Sequence, residues 1–131
     1  MPVFSEESKI KLRQCHPALQ LIFNEVIKCF DCKVLCGYRT EAEQNQAVAE
    51  RKSKTPWPKS KHNSFPALAV DVAPCPIDWD DSARFYYFGG FVIGMATRMG
   101  FRIRYGGDWD SDTQVKDESF KDLPHFEVVE G

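Results

Sequence analysis

A chain of 131 residues has room for one core, and 43% apolar with 27% charged residues is the balance of a folded domain rather than a disordered one. A net charge of -2 and a pI near 5.9 exclude the broad basic face with which nucleic-acid binders neutralise phosphates. No stretch approaches the about 20 consecutive apolar residues of a bilayer span. The start Met1-Pro2-Val3-Phe4-Ser5-Glu6-Glu7 lacks the basic and apolar segments of an export signal. The expectation is one domain over 1–131, made in the cytoplasm, with no membrane or nucleic-acid partner and no second domain.

In chain order, Ser5 to Gln14 reads as a short polar helix carrying Ile10 and Leu12. His16-Pro17 then opens a second helix, since proline suits a first helical turn. Leu19, Ile22, Phe23, Val26, Ile27 and Phe30 give that helix an apolar stripe to about Phe30. Lys33 to Tyr38 is β-prone. Thr40, with Glu43 at the capping-box position, starts a third helix running to about Arg51. From Lys52 to Pro66 the composition turns to Lys, Ser, Pro, Asn and Trp and predicts a long surface loop. Ala67 to Ala73 reads as a buried strand closed by Pro74 and Pro76. A helix follows from Asp80-Asp81-Ser82 to Gly100, then a strand at Phe101 to Tyr105, an acidic loop over Gly106 to Lys121, and a last strand at His125 to Val129. This order predicts an α+β domain, with helices packed on a small sheet.

Two of the three histidines stand near carboxylates at element boundaries. His62 lies in the loop, and His125 follows Asp122-Leu123-Pro124. Asp71 sits inside the apolar run Ala-Val-Asp-Val-Ala, where a carboxylate needs a partner, because an isolated buried charge is costly unless paired, hydrogen-bonded or bound to metal. Two imidazoles and a carboxylate around Zn²⁺, with a fourth position left for water, make the usual hydrolytic zinc layout. For each residue alone a plain structural reading also stands, and for His16, at a helix entry, it is the preferred one.

The segments Ser60-x-His62, Ala69-x-Asp71 and Asp122-x-x-His125, with Gly37-Tyr38-Arg39-Thr40 and Glu43-Gln44 upstream, resemble the D-alanyl-D-alanine carboxypeptidase and L-alanyl-D-glutamate endopeptidase family, especially its phage endolysins. The resemblance runs from about His16 to Val129. It implies a mainly antiparallel sheet flanked by helices, of the Hedgehog and DD-peptidase kind. It implies one zinc ion on His62, Asp71 and His125, and Asp122 as catalytic acid and base. Arg39 would bind substrate carboxylate or stabilise the oxyanion, with a structural salt bridge as the alternative, and Gln44 would be a support. The partner implied is the peptidoglycan stem peptide, cut between L-Ala and D-Glu by a monomeric enzyme that reaches the wall after release from the cytoplasm. A D-Ala-D-Ala carboxypeptidase and a zinc-containing peptidoglycan-binding module without activity are the alternatives. Between His62 and Ala69 the chain departs from the family pattern, with extra residues and no glycine.

Four features stand outside that frame. Arg51-Lys52-Ser53-Lys54, with Lys59 and Lys61, is a basic run, read as a solvated loop or an attractor of anionic polymer. Cys29 and Cys32 form a CxxC pair, read as small residues at a helix end and strand because no second ligand pair accompanies them. Asp108, Asp110 and Asp112 alternate as calcium ligands do but lack the complete EF-hand pattern, so a solvated acidic turn is preferred to calcium, with Asp108 and Trp109 as groove or supporting residues. Glu127 and Glu130 are taken as surface charges.

Overall fold

The computed structural model describes residues 1–116 and 121–129. Each helix begins where its cap chemistry dictates. Helix α1 (Glu6–Arg13) starts at Ser5, whose hydroxyl accepts from the Ser8 amide, with Glu6 and Glu7 in the first turn and Lys11 and Arg13 in the last, as the helix dipole favours. Helix α2 (Pro17–Val26) is capped by His16, whose Nδ1 accepts from the Ala18 amide, so the structural reading of His16 holds. This helix is shorter than its apolar stripe suggested. Beyond Val26 the bonds Lys28 N–H to Glu25 O and Cys29 N–H to Val26 O tighten the chain into turns, and Phe30 leaves the stripe to pack on Phe88 and Phe91. Helix α3 (Glu41–Ala49) carries the Thr40/Glu43 capping box, and α4 (Ser82–Arg98) starts at Asp81. The chain leaves α4 through Gly100 at φ +87, where glycine alone is unstrained.

Strands β1 (Cys32–Cys36), β2 (Ala69–Pro74), β3 (Ile103–Tyr105) and β4 (His125–Val128) form one antiparallel sheet in the order β1-β2-β4-β3. Its pleat sorts residues by face. Val70 pairs with Phe126, Tyr105 pairs with Phe126, and Ile103 pairs with Val128. These side chains meet Phe23, Phe88 and Val92 of α2 and α4 in the core. On the opposite face a bulge after Val34 brings Cys36 opposite Asp71, and Asp71 lies opposite His125. Directly opposed residues share a face, and so do residues two apart on one strand, which adds Glu127. One side of the sheet is therefore hydrocarbon and the other carries the titratable groups.

The segment expected to be an unstructured loop contains a single 3₁₀ turn, Lys61–Asn63, with a Ser60/Asn63 capping box. Of the acidic loop expected over Gly106 to Lys121, positions 117–120 lie outside the described residues, as does Glu130. The CxxC pair splits, with Cys32 buried in β1 and Cys29 exposed, and all five cysteines are free thiols. No helix among the described residues is long and apolar enough to cross a membrane.

Gly106 ties β3 to the turn before β4. Its amide donates to His125 O, its carbonyl accepts from the Asp122 amide, and a Cβ there would overlap the Asp122 carbonyl. Gly90 in α4 is exposed, with nothing near its would-be Cβ. Gly106→Ala is expected to cost about 1–3 kcal/mol of stability, and Gly90→Ala to add about 0.5–1 kcal/mol. Urea denaturation midpoints moving in opposite directions would bear this out; equal shifts would show that Gly106 is not sterically required.

Candidate active site

Asp71 is the hub of the polar face. Its Oδ1 lies 3.3 Å from His62 Nε2 and 3.3 Å from His125 Nδ1, and its Oδ2 is 3.6 Å from Arg39 Nη2. Despite these neighbours Oδ1 is buried and receives no well-formed hydrogen bond. The far nitrogens of the imidazoles explain why. His62 Nδ1 is 2.8 Å from Gly37 O, a pure acceptor, so this nitrogen carries the proton; His125 Nε2 is likewise 2.8 Å from Glu127 Oε1. In the neutral tautomers these contacts select, each imidazole turns its lone pair toward Asp71. Three acceptors then face one another with no donor among them.

Burial opposes charging of both imidazoles, but the Asp71 carboxylate outweighs it. His62 is raised to about 10 by Asp71 with help from Cys36, and His125 to about 9 by Asp71 and Glu127. Burial likewise works against ionised Asp71, yet the two imidazoles hold its carboxyl far below the ordinary range. Such shifts mark a cluster that demands a cation, whether proton or metal. Burial, followed by repulsion from Asp71, pushes Asp122 up to about 6, against the pull of His125, His62 and Arg39. Its Oδ2 stands 3.8 Å from His125 Nδ1.

All five residues singled out in the sequence, Arg39, His62, Asp71, Asp122 and His125, thus meet at one place. Arg39 does so through local support. Its amide donates to His62 O, and its Nη1 donates to Oε1 of Gln44, which is fully buried. Gln44 Nε2 donates to Ser53 Oγ and Thr55 O, and Asn63 Nδ2 donates to both Gln44 Oε1 and Arg39 O. Gln44 is thus the clasp that holds the 52–63 segment and Arg39 against α3. The Arg39–Asp71 contact also means that the salt-bridge reading of Arg39 describes a real interaction.

The structure corrects the reading of Glu127 as a surface charge. It is 6% exposed and is held by His125, by Lys61 Nζ at 3.3 Å and by Arg104 Nη1 at 3.6 Å. The signal was in the sequence: His125-Phe126-Glu127-Val128 alternates as a two-faced strand, so Glu127 shares the face of His125. Cys36, with Sγ 3.8 Å from His62 Nδ1, was missed because its place depends on a bulge that no local pattern announces. Candidate metal-ligand groups are present as two overlapping clusters, Cys36/His62/Asp71 and Asp71/Asp122/His125, which share Asp71. A third, Asp108/Asp110/Asp112, lies apart; its carboxylates accept from the backbone amides of 112, 113 and 114, which is the bonding of an acidic turn. Trp109 stacks obliquely on His125 at 5.2 Å and lines the cleft, whereas Asp108 serves the turn.

Imidazoles and carboxylates converging on the polar face of a small antiparallel sheet, at the floor of an open cleft of about 520 Å³, define a hydrolase-type site. The comparisons with known proteins narrow the class. The profile of the phage L-alanyl-D-glutamate peptidase family matches residues 2–129. The L-alanyl-D-glutamate peptidase of Escherichia phage T5 is 29% identical over 135 residues, covering 96% of this chain and 97% of that protein. The crystal structure of the Serratia marcescens L-Ala D-Glu endopeptidase ChiX superposes with a TM-score of 0.74 at 25% identity, over 97% of this chain and 90% of that one. The LdcB LD-carboxypeptidase shares the fold, with a TM-score of 0.58 at 23% identity over 98% of this chain and 65% of that one. The chain belongs to the phage L-alanyl-D-glutamate peptidase family, and the resemblance read from its motifs is borne out together with the α+β fold.

Removing the clasp tests how the site is held. Gln44→Ala leaves several buried partners unsatisfied and is expected to cost about 2–3 kcal/mol. Hydrogen exchange should accelerate over residues 52–63 before the sheet opens; uniform acceleration across the chain would contradict a local clasp.

Proposed function

We propose that this chain hydrolyses the amide between L-alanine and D-glutamate in the peptidoglycan stem peptide, with one zinc ion held by His62, Asp71 and His125 and with Asp122 as general base and acid. The reading is carried by one observation: the buried, unbonded Oδ1 of Asp71 stands 3.3 Å from His62 Nε2 and 3.3 Å from His125 Nδ1, while the far nitrogens of both rings are held by Gly37 O and Glu127. Such a cluster calls for a cation between the carboxylate oxygen and the two rings. Each histidine's edge to Asp71 suits zinc, because ligand atoms bonded at about 2.0–2.1 Å on tetrahedral vertices stand about 3.3–3.4 Å apart, and Oδ1 is 3.3 Å from each imidazole nitrogen, the two histidines belonging to separate ligand groups that share Asp71. Bound there, zinc supplies Lewis acidity that polarises a carbonyl and brings the pKa of water toward about 7.

The remaining work falls to the chain's own side chains. Asp122 lines the cleft beside the cluster, where Oδ2 takes the proton of the attacking water and returns it to the leaving amine nitrogen. Gly37 O and Glu127 fix the tautomers and ring planes of the two histidines, the usual task of groups behind metal ligands. Arg39, immobilised by Gln44, presents its guanidinium to the cleft for a substrate carboxylate or the developing oxyanion. The relatives named for L-Ala-D-Glu cleavage support this choice of bond.

Metal-stripped protein should release new amino termini from purified peptidoglycan only after one equivalent of Zn²⁺ is added, and product masses should place the cut between L-Ala and D-Glu. Masses corresponding to loss of D-Ala would make it a carboxypeptidase, and bound zinc without cleavage a binding module. Asp122→Asn should keep full zinc content while kcat falls about 10²–10⁴-fold. Glu127→Ala should weaken zinc binding by about 10–100-fold in chelator competition, with Glu127→Gln between it and the wild type; unchanged affinity in both would remove Glu127 from the site.

A further inference from the structure

Two clefts that differ in their balance of charge meet at the site, with Arg39, Lys52 and Asp122 lining both. The first, of about 520 Å³, is walled by the basic run, which contributes Lys52, Lys54, Lys59 and Lys61. Lys61 is engaged by Glu127 and Val128 O, and Lys52 by Glu50. Lys59 forms no ion pair among the described residues, and Lys54 and Lys59 are both exposed. The lysines ride on a held segment, since Ser53 and Thr55 are bonded to buried Gln44 and Ser60 caps the 3₁₀ turn. A fixed positive wall loses less entropy on meeting an anion than a loose one. The second cleft, of about 790 Å³, has an apolar wall of Leu35, Trp79, Phe85, Leu123 and Pro124. Its charged lining is balanced, with Glu43 and Glu50 against Arg51 and Lys121, where the first cleft is mainly basic. Trp79 stacks on Phe85 with ring centroids 5.2 Å apart and an interplanar angle of 21°, yet remains 61% exposed. A braced, exposed indole offers a flat face to an apolar or sugar surface.

The two sides of an L-Ala–D-Glu bond differ in the same sense. The carboxyl-side fragment begins with glutamate bearing a free α-carboxylate and continues into further carboxylates. The amino-side fragment is alanine acylated by the lactyl group of muramic acid, which brings no charge but a sugar. We infer that the groove sets the direction of the substrate: the carboxylate-bearing fragment lies against Lys54 and Lys59, and the muramoyl-alanine fragment lies along Trp79. This rests on the activity proposed above and names the side of the cut that each wall recognises. Lysine wall and carboxylate meet as exposed charges in water, so the effect is a modest preference that salt weakens.

The test uses the zinc-loaded full chain and two soluble muramoyl tetrapeptides that differ only in the glutamate α-carboxyl, free acid against amide. Wild type should favour the acid in kcat/KM by about three- to five-fold, through KM and less so at high salt. The K54Q/K59Q variant should bring that ratio near one. Trp79→Ala should keep the wild-type ratio but lose discrimination between the muramoyl peptide and its sugar-free N-acetyl analogue. Cleavage of both substrates with a ratio that the lysine substitutions do not move would overturn the orientation while leaving the activity standing. So would a reversed pattern, in which Trp79→Ala abolishes the acid preference. If wild type cuts neither substrate, the proposed activity fails and the orientation falls with it.

Discussion

A carboxylate placed in the middle of a β-strand, with two imidazole nitrogens and a guanidinium gathered around it, is the constraint that organises this molecule. Asp71 is too buried to be left to water and too poorly donated to be satisfied by hydrogen bonds, so its surroundings must provide positive charge. Arg39 supplies part of that charge to Oδ2, and the histidines stand at Oδ1. Each of these partners is itself anchored: Arg39 by Gln44, His62 by Gly37 O and His125 by Glu127. The result is a cluster whose geometry is imposed from behind, which is how a metal-binding or catalytic site keeps its shape between turnovers.

The sheet makes this possible by separating two environments across a single layer. Val70, Val72 and Phe126 point into the helices and supply the hydrophobic stability, while Asp71 and His125, their immediate neighbours in sequence, point the other way. The core therefore fixes the positions of the site residues without contributing atoms to the site. Gly106 matters for the same reason, since it sets how closely the Asp122 turn approaches the end of β3.

How much of this could be read from the chain depended on the range of the interactions. Helix starts at Ser5, Pro17, Thr40 and Asp81, and the stop at Gly100, were legible because caps and glycine act within one turn. Asp71 was legible as a charge in an apolar run, and His62, His125, Asp122 and Arg39 through the motif resemblance. The end of α2 at Val26 was not, because Phe30 follows α4 rather than its own helical stripe. Cys36 depended on a bulge, and the clasp of Gln44 on loop residues that have no local pattern. Glu127 was a signal passed over: its alternation with Phe126 and Val128 announced the face of His125.

The most direct test of the account is zinc-edge anomalous diffraction from crystals of the zinc-loaded protein. A single strong peak within bonding distance of His62 Nε2, Asp71 Oδ1 and His125 Nδ1 is the predicted result. A peak held instead by Cys36, or by Asp108, Asp110 and Asp112, or no peak between the two imidazoles at full zinc occupancy in solution, would contradict it.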